Sequence, residues 1–332
     1  MKSVVLTDWN PEDSQSWDSK IAWRTLAITT YSMIMAFCVW FLVSAIAPKL
    51  NDIGFHLSKG QLYWLTSMPG LSCGLIRLAY MFLPPLVGTR KLVGYSSLLY
   101  AIPMLGWFMA VQNPNTSYGV LLALAFACGI GGGSFSGYMP STGYFFPKRL
   151  QGTALGIQAG IGNLGMSVIQ LVGPLLMGFS LFGMTWVAPQ SGSSGSIYVH
   201  NAAIFFVPWT IVAAILAFTL LKDVPVKANI RQQLDIFSNS NTWVMTAMYV
   251  MTFGIFSGFA AQFALIINQH YGKDSAFVGM EGLPAGASYA FLGPLIGSLV
   301  RFAWGPLCDK FGGAIWTFVS AVGMAVTLGW AA

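Results

Sequence analysis

Residues 67–88 read SMPGLSCGLIRLAYMFLPPLVG, and residues 291–313 read FLGPLIGSLVRFAWGPLCDKFGG. Each is an apolar run with one cation in its interior, Arg77 in the first and Arg301 in the second. Each places a proline seven or eight residues before the arginine (Pro69, Pro294) and a glycine three or four before it (Gly74, Gly297). Each then continues arginine, apolar, alanine, aromatic: Arg77-Leu78-Ala79-Tyr80 and Arg301-Phe302-Ala303-Trp304. A charge at bilayer depth costs about 2.5–3.5 kcal/mol on insertion scales, so a membrane helix keeps an interior arginine for a purpose.

The chain around these segments is that of a membrane protein. Of 332 residues, 55% are hydrophobic and only 8% charged, too little charge to cover a soluble core of this size. Apolar runs long enough to span a bilayer, about 20 residues each, fall at 23–47, 61–87, 92–112, 117–146, 150–181, 201–221, 241–268, 286–308 and 313–332. The expected fold is therefore an all-α polytopic membrane protein with about nine transmembrane helices. The polar piece around 223–240 divides the chain into a six-helix half, residues 1–222, and the first three helices of a second half, residues 241–332. The last run reaches Ala332 without a polar flank, so the chain is expected to be C-terminally truncated from a total of twelve helices.

With the N-terminus inside, the inner side carries Lys2, Lys20, Arg24, Arg90, Lys91, Lys148, Arg149, Lys222, Lys227, Arg231 and Lys310; the outer side carries Lys49, Lys59 and Lys273. That bias places the N-terminus in the cytoplasm. Arg77 and Arg301 are the two basic residues left over. They lie about 12–16 Å from the inner helix ends, near the middle of a ~30 Å hydrocarbon core. Their runs are the second and eighth, six apart, as in two six-helix halves related by an axis along the membrane normal. All ten acids, Asp8, Glu12, Asp13, Asp18, Asp52, Asp223, Asp235, Asp274, Glu281 and Asp309, lie outside the middle of a run. Neither arginine then has a carboxylate at its depth, and a bound small anion is the expected partner. A guanidinium presents a planar fork of donors suited to an oxyanion.

Other classes are disfavoured. The net charge of +6 comes with no basic stripe, which argues against nucleic acid. Cys38, Cys73, Cys128 and Cys308 show no metal or disulfide spacing and read as small buried hydrophobes. No nucleophile–base pair, metal cluster or paired carboxylates fall in the runs, so neither an enzyme nor a metal or cofactor is expected. The polar, acidic N-terminal segment is neither a signal nor a transit peptide.

Residues 128–170, CGIGGGSFSGYMPSTGYFFPKRLQGTALGIQAGIGNLGMSVIQ, carry a glycine ladder at Gly152, Gly156 and Gly160 suited to close helix packing, with Asn163 and Gln170 on the same small-residue surface. This stretch, with FFPK, GxAxG and AGIGNLG, resembles the signature of the nitrate/nitrite porter family (NarK-type) of the major facilitator superfamily. TDWNPED at 7–13, FCVWFLVSA at 37–45 and both arginine segments match as well, and GPLCDKFGG resembles the superfamily's cytoplasmic loop motif. The resemblance covers essentially the whole chain. It implies a major facilitator fold and a monomeric bacterial inner-membrane carrier that exchanges nitrate and nitrite by alternating access, in the service of nitrate assimilation. It also implies that Arg77 and Arg301 clamp the anion, with Phe135 beside it, Asn163 as the signature asparagine, Tyr249 hydrogen-bonded to the anion and Phe253 packed on it. The alternatives are a proton-coupled nitrate importer and a carrier of another small inorganic anion. PPLVGTRK after Arg77 departs from the acidic-basic loop motif usual in proton-coupled importers, which favours exchange.

Overall fold

A computed structural model of the protein describes residues 5–181, 188–192, 195–225, 234–270 and 289–331. The expected connection at 269–286, with Asp274 and Glu281, lies almost wholly outside the described residues, as do Lys2, Lys227, Arg231 and Lys273.

The helices begin and end where capping chemistry and prolines dictate. Helix α1 (Ser19–Trp40) starts on Asp18, whose side chain accepts from the Lys20 amide, and breaks at Phe41 into α2 (Leu42–Leu50), which completes the first crossing. Helix α3 (Lys59–Tyr80) starts in a capping box between Ser58 and Gln61, two orphan amides satisfied reciprocally. The second apolar run does not continue to 87 as its composition suggests. Pro84 and Pro85 suit a first helical turn, where no amide donor is needed, so a new helix, α4 (Leu83–Ala110), begins there. It bends at Gly88, whose φ of 77° is open to glycine.

Helix α5 (Tyr118–Gly143) is capped by Ser117 and α6 (Lys148–Leu176) follows Pro147. Within the polar segment after α6, Gln190–Gly192 (β1) and Gly195–Ile197 (β2) form a short antiparallel pair. The sixth crossing is α7 (Asn201–Ile204) with α8 (Val207–Leu220). The seventh is α9 (Ser240–Tyr249), a π turn (Val250–Gly254) and α10 (Ile255–His270). Helices α11 (Leu292–Phe311) and α12 (Gly313–Ala331) complete the described chain.

Among the described residues six helical stretches are both long and apolar enough to cross a membrane: Ser19–Ile53, Leu83–Ala110, Tyr118–Gly143, Lys148–Leu176, Asn201–Leu220 and Ser240–Gln269. Helices α3 and α11, with 22 and 20 residues, have the length but are diluted by polar side chains, the two arginines among them.

Helices α1 to α8 pack around one continuous core in which Phe37, Phe41, Tyr100, Trp107 and Tyr138 are fully buried. These hydroxyls are buried, so they pair with each other. Ser32 bonds Ser97 at 2.7 Å and Tyr138 at 3.0 Å, and the Tyr100 hydroxyl donates to Ser134 at 2.7 Å. Cys38, Cys73 and Cys128 are buried thiols, and Cys308 is half-buried.

The glycine ladder of α6 does not serve its own bundle alone. A Cβ at Gly156 would lie 2.8 Å from Gly305 Cα, and one at Gly160 would lie 2.6 Å from the Phe302 amide, so α11 rests directly on the backbone of α6. This contact sets the depth of Arg301 relative to the first bundle.

Candidate functional site

Arg77 sits two turns beyond Pro69 on α3. Its carbonyl accepts from the Ser136 hydroxyl of α5 at 3.1 Å, which ties that turn of α3 to its neighbour. Its Nε donates to the Gly132 carbonyl at 3.2 Å, and its Nη1 donates to the Tyr249 hydroxyl at 3.3 Å. The run Gly131-Gly132-Gly133 makes this possible, since a carbonyl with no side chains around it is open to a guanidinium from the next helix. The third nitrogen, Nη2, is buried without a hydrogen-bond partner.

Arg301 arrives from α11. The two guanidinium carbons face the same pair of rings: Arg77 Cζ is 5.2 Å from the Phe135 centroid and 5.3 Å from that of Phe253, and Arg301 Cζ is 5.6 and 5.4 Å from them. Arg77 also lies 5.7 Å from the Tyr249 ring. Phe135 and Phe253 stack at 5.9 Å, and Tyr249 stacks on Phe253 at 5.2 Å. Tyr249 and Phe253 lie four residues apart across the π turn, which begins at Val250 and includes Phe253. Such turns recur at functional sites because they re-aim side chains.

Cation–π contacts are worth about 0.5–1 kcal/mol at exposed sites and about 2 kcal/mol or more when desolvated, which holds a guanidinium without neutralising it. An ion pair joins Lys49 to Asp52 at the far end of α2, and neither arginine takes part in it. The structure thus gathers two cations on shared aromatic faces with no carboxylate between them among the described residues.

Five of the six expected site residues meet here: Arg77, Arg301, Phe135, Tyr249 and Phe253. Asn163 is hydrogen-bonded to neither arginine. It is 1% exposed on α6 with its Oδ1 unpaired, between Gly162 and Gly165, which pack on Met33 and on Phe37 of α1. Sequence reasoning missed Trp40, which stacks on Phe253 at 6.2 Å and donates its indole N–H to the Pro69 carbonyl at 3.1 Å, and Phe37, edge-on to Phe135 at 6.1 Å. Trp40 carried a signal: it lies deep in an apolar run, whereas membrane tryptophans gather at interfaces.

Contacts flank the arginines on both sides. Away from the N-terminal face, a cleft of about 560 Å³ opens between α1–α2, α3 and the seventh crossing, lined by Trp40, Ser44, Thr66, Ser67, Ser257 and Gln262. There Thr66 donates to Gln262 at 2.7 Å, Gln262 donates to Ser67 at 2.7 Å, and Tyr63 donates to Gln269 at 3.0 Å. On the N-terminal face Asp309 of α11 accepts from the Gly152 and Thr153 amides at 2.8 and 2.7 Å and from the Thr153 hydroxyl at 2.6 Å.

Residues 29–332 match the family model of the Major Facilitator Superfamily. The chain is 54% identical to the "Probable nitrate/nitrite antiporter NarK2" of Thermus thermophilus, over 97% of this chain and 73% of that protein. It is 37% identical to the "Nitrate/nitrite transporter NarU" of Escherichia coli K12, over 97% of this chain and 69% of that protein. Among solved structures it is similar to a bacterial homologue of the human lysosomal transporter Spinster, in an inward-facing and unoccupied conformation. That match has a TM-score of 0.58 at 16% identity and covers 89% of this chain and 64% of the other. This last likeness is one of fold.

Proposed function

The chain belongs to the Major Facilitator Superfamily and, within it, to the NarK-type nitrate/nitrite porters, and from that premise we propose that it exchanges nitrate for nitrite across the bacterial inner membrane. The observation that carries this reading is the pair of guanidiniums on the shared faces of Phe135 and Phe253, with Arg77 Nη2 left unpaired and no carboxylate beside either arginine among the described residues. A planar oxyanion fits between two planar forks of donors, and flat aromatic walls suit a flat ion. Both arginines come from one protomer, so a monomer suffices. The N-terminal face is cytoplasmic in this reading, and the service is nitrate assimilation.

Residues 1–222 and 241–332, joined by 223–240, are the two bodies that move in this reading. The Thr66–Gln262–Ser67 contacts close the outer side, and the Asp309 contacts close the inner side; alternating access breaks one set at a time. An empty site holds two like charges in a poorly solvated place, and closing both sides around them is costly. A bound anion offsets that repulsion. The loaded carrier then crosses faster than the empty one, and the cycle becomes an obligatory exchange.

The test is nitrate efflux from proteoliposomes, with and without nitrite outside and with and without a pH gradient. Exchange requires that external nitrite accelerate efflux several-fold. Equal efflux into anion-free buffer, or uptake driven by the pH gradient alone, overturns it in favour of proton-coupled import.

A further inference from the structure

The TDWNPED segment has no part in the arginine site, yet it is tied into the fold at several points. Leu6 donates its amide to the Asp223 carbonyl at 2.9 Å, just past α8. Trp9 donates its indole N–H to the Tyr144 carbonyl at 3.1 Å, and Trp17 donates to the Phe145 carbonyl at 2.9 Å. Glu12 accepts from the Lys148 amide at 2.8 Å. Arg149 lies over the Trp17 ring at 5.9 Å, and Leu6, Trp9 and Trp17 pack on the small core of Phe145, Phe146 and Ala154.

These partners form one corner. Tyr144 and Phe145 follow the end of α5, where helical carbonyls lack donor partners, and Lys148 is the first residue of α6, where amides lack acceptor partners. The segment caps both helix ends at once. Its own shape is held by turn bonds, Asn10 accepting from the Glu12 amide and Asp13 from the Gln15 amide. One turn further along α6, Asp309 reaches Gly152 and Thr153 from α11. The first turns of α6 are thus held by Glu12 from its own body and by Asp309 from the other.

We propose that residues 6–17 are a strap that fixes the α5–α6 corner, with Trp9, Glu12 and Trp17 as its positioning residues, so that the N-terminal face opens by α11 leaving α6. Helix α5 carries Gly132 and Phe135, and α6 carries the glycine surface on which α11 rests. A corner that stayed loose would follow Asp309 outward, and the arginine site would lose one wall as the other moved. A corner held by the strap stays behind as a stationary post.

The inference rests on the alternating-access reading above, but its first readout needs no transport, so it fails separately from the nitrate/nitrite assignment. Spin labels on a cysteine-free background, at Lys91→Cys with Lys148→Cys, measure the corner against α4. Labels at Lys148→Cys with Lys310→Cys measure α6 against α11. All three lysines are exposed. In the otherwise unaltered full chain the first distance is single and the second has two populations. Glu12→Ala combined with Trp17→Ala splits the first distance as well. The same change lowers the maximal exchange rate about tenfold while the half-saturating anion concentration stays within about twofold. Glu12→Gln, which keeps an oxygen acceptor, restores both. Trp17→Phe, which keeps the packing and removes only the indole donor, gives a milder broadening and guards against a folding defect in the double variant. A first distance that stays single in the double variant, or one that is already split with the strap intact, overturns the proposal.

Discussion

The α3 arginine is hydrogen-bonded to a glycine carbonyl and a tyrosine hydroxyl, braced through its own carbonyl by Ser136, and faced by three rings. The α11 arginine, on a helix of the same pattern, rests on two of those rings and takes its depth from glycine contacts with α6. Repeat-related segments have placed two cations at one site by different means. The difference teaches that pattern sets the depth of a charge, whereas the neighbouring helix sets how firmly it is held. Arg77 is held from α3, α5 and the seventh crossing, whereas the depth of Arg301 comes from the seam between α11 and α6.

The largest effect expected is from Arg77→Lys or Arg301→Lys, each lowering exchange by about a hundredfold or more because an ammonium cannot offer the bidentate fork. Initial rates of nitrite-driven nitrate efflux measure this. If the site needs both forks, the two variants fall alike despite their unequal bracing. A mild Arg301 variant would reduce the site to one arginine and break the comparison.

Next comes the seam that positions Arg301. A Cβ at residue 305 would stand 2.9 Å from the Gly152 carbonyl oxygen and 3.2 Å from Gly156 Cα, so Gly305→Ala overpacks it. The expected cost is about 1–3 kcal/mol. It appears as a lower midpoint of thermal unfolding and as a larger share of molecules with α6 and α11 apart. Unchanged values of both would mean that the seam is looser than its backbone distances imply.

Tyr249→Phe tests the bracing of Arg77 more gently. It removes the acceptor of one guanidinium N–H and leaves the ring stack, so anion binding weakens by about 0.5–3 kcal/mol. Equal affinity in a titration of the detergent-solubilised protein would assign the tyrosine to packing alone.

The smallest effect concerns a buried base outside the pair. His200 is 1% exposed, with Nδ1 3.2 Å from the Gln190 amide nitrogen and its ring edge-on to Phe108, and burial holds its pKa below the usual 6.5. The unfolded chain therefore takes up this proton at a higher pH than the folded one. Stability from this site is complete above about pH 6.5 and declines as pH falls below it, until the folded form also protonates. The unfolding midpoint should drop between pH 7.5 and 5.5, and His200→Gln should flatten that slope. The contrast sharpens the main comparison: a buried histidine relieves its burial by losing a proton, which an arginine cannot do.

Much of the molecule was legible beforehand. The helices are there because long apolar runs must satisfy their own backbone in lipid, and capping residues such as Asp18, Ser58 and Ser117 mark their starts. The shared Pro–Gly–Arg–Ala–aromatic pattern was enough to single out both arginines. Phe135, Tyr249 and Phe253 came from family resemblance, since an aromatic in an apolar helix looks the same whether it faces a site, a core or lipid. The end of the second apolar run at Tyr80 was misplaced because Pro84 and Pro85 interrupt a helix without interrupting hydrophobicity.

By itself the amino-acid sequence determined that this chain is a helical membrane protein with two cations inside its apolar runs, because composition and the position of charge along a run are local facts. Tertiary structure alone decided that both guanidiniums share the faces of Phe135 and Phe253, that a π turn precedes α10, that Trp40 walls the site, and that TDWNPED straps the α5–α6 corner. These depend on which helix faces meet across distances of tens to hundreds of residues. Such meetings are set by backbone approach at glycines and by hydrogen bonds between helices, which no local pattern specifies.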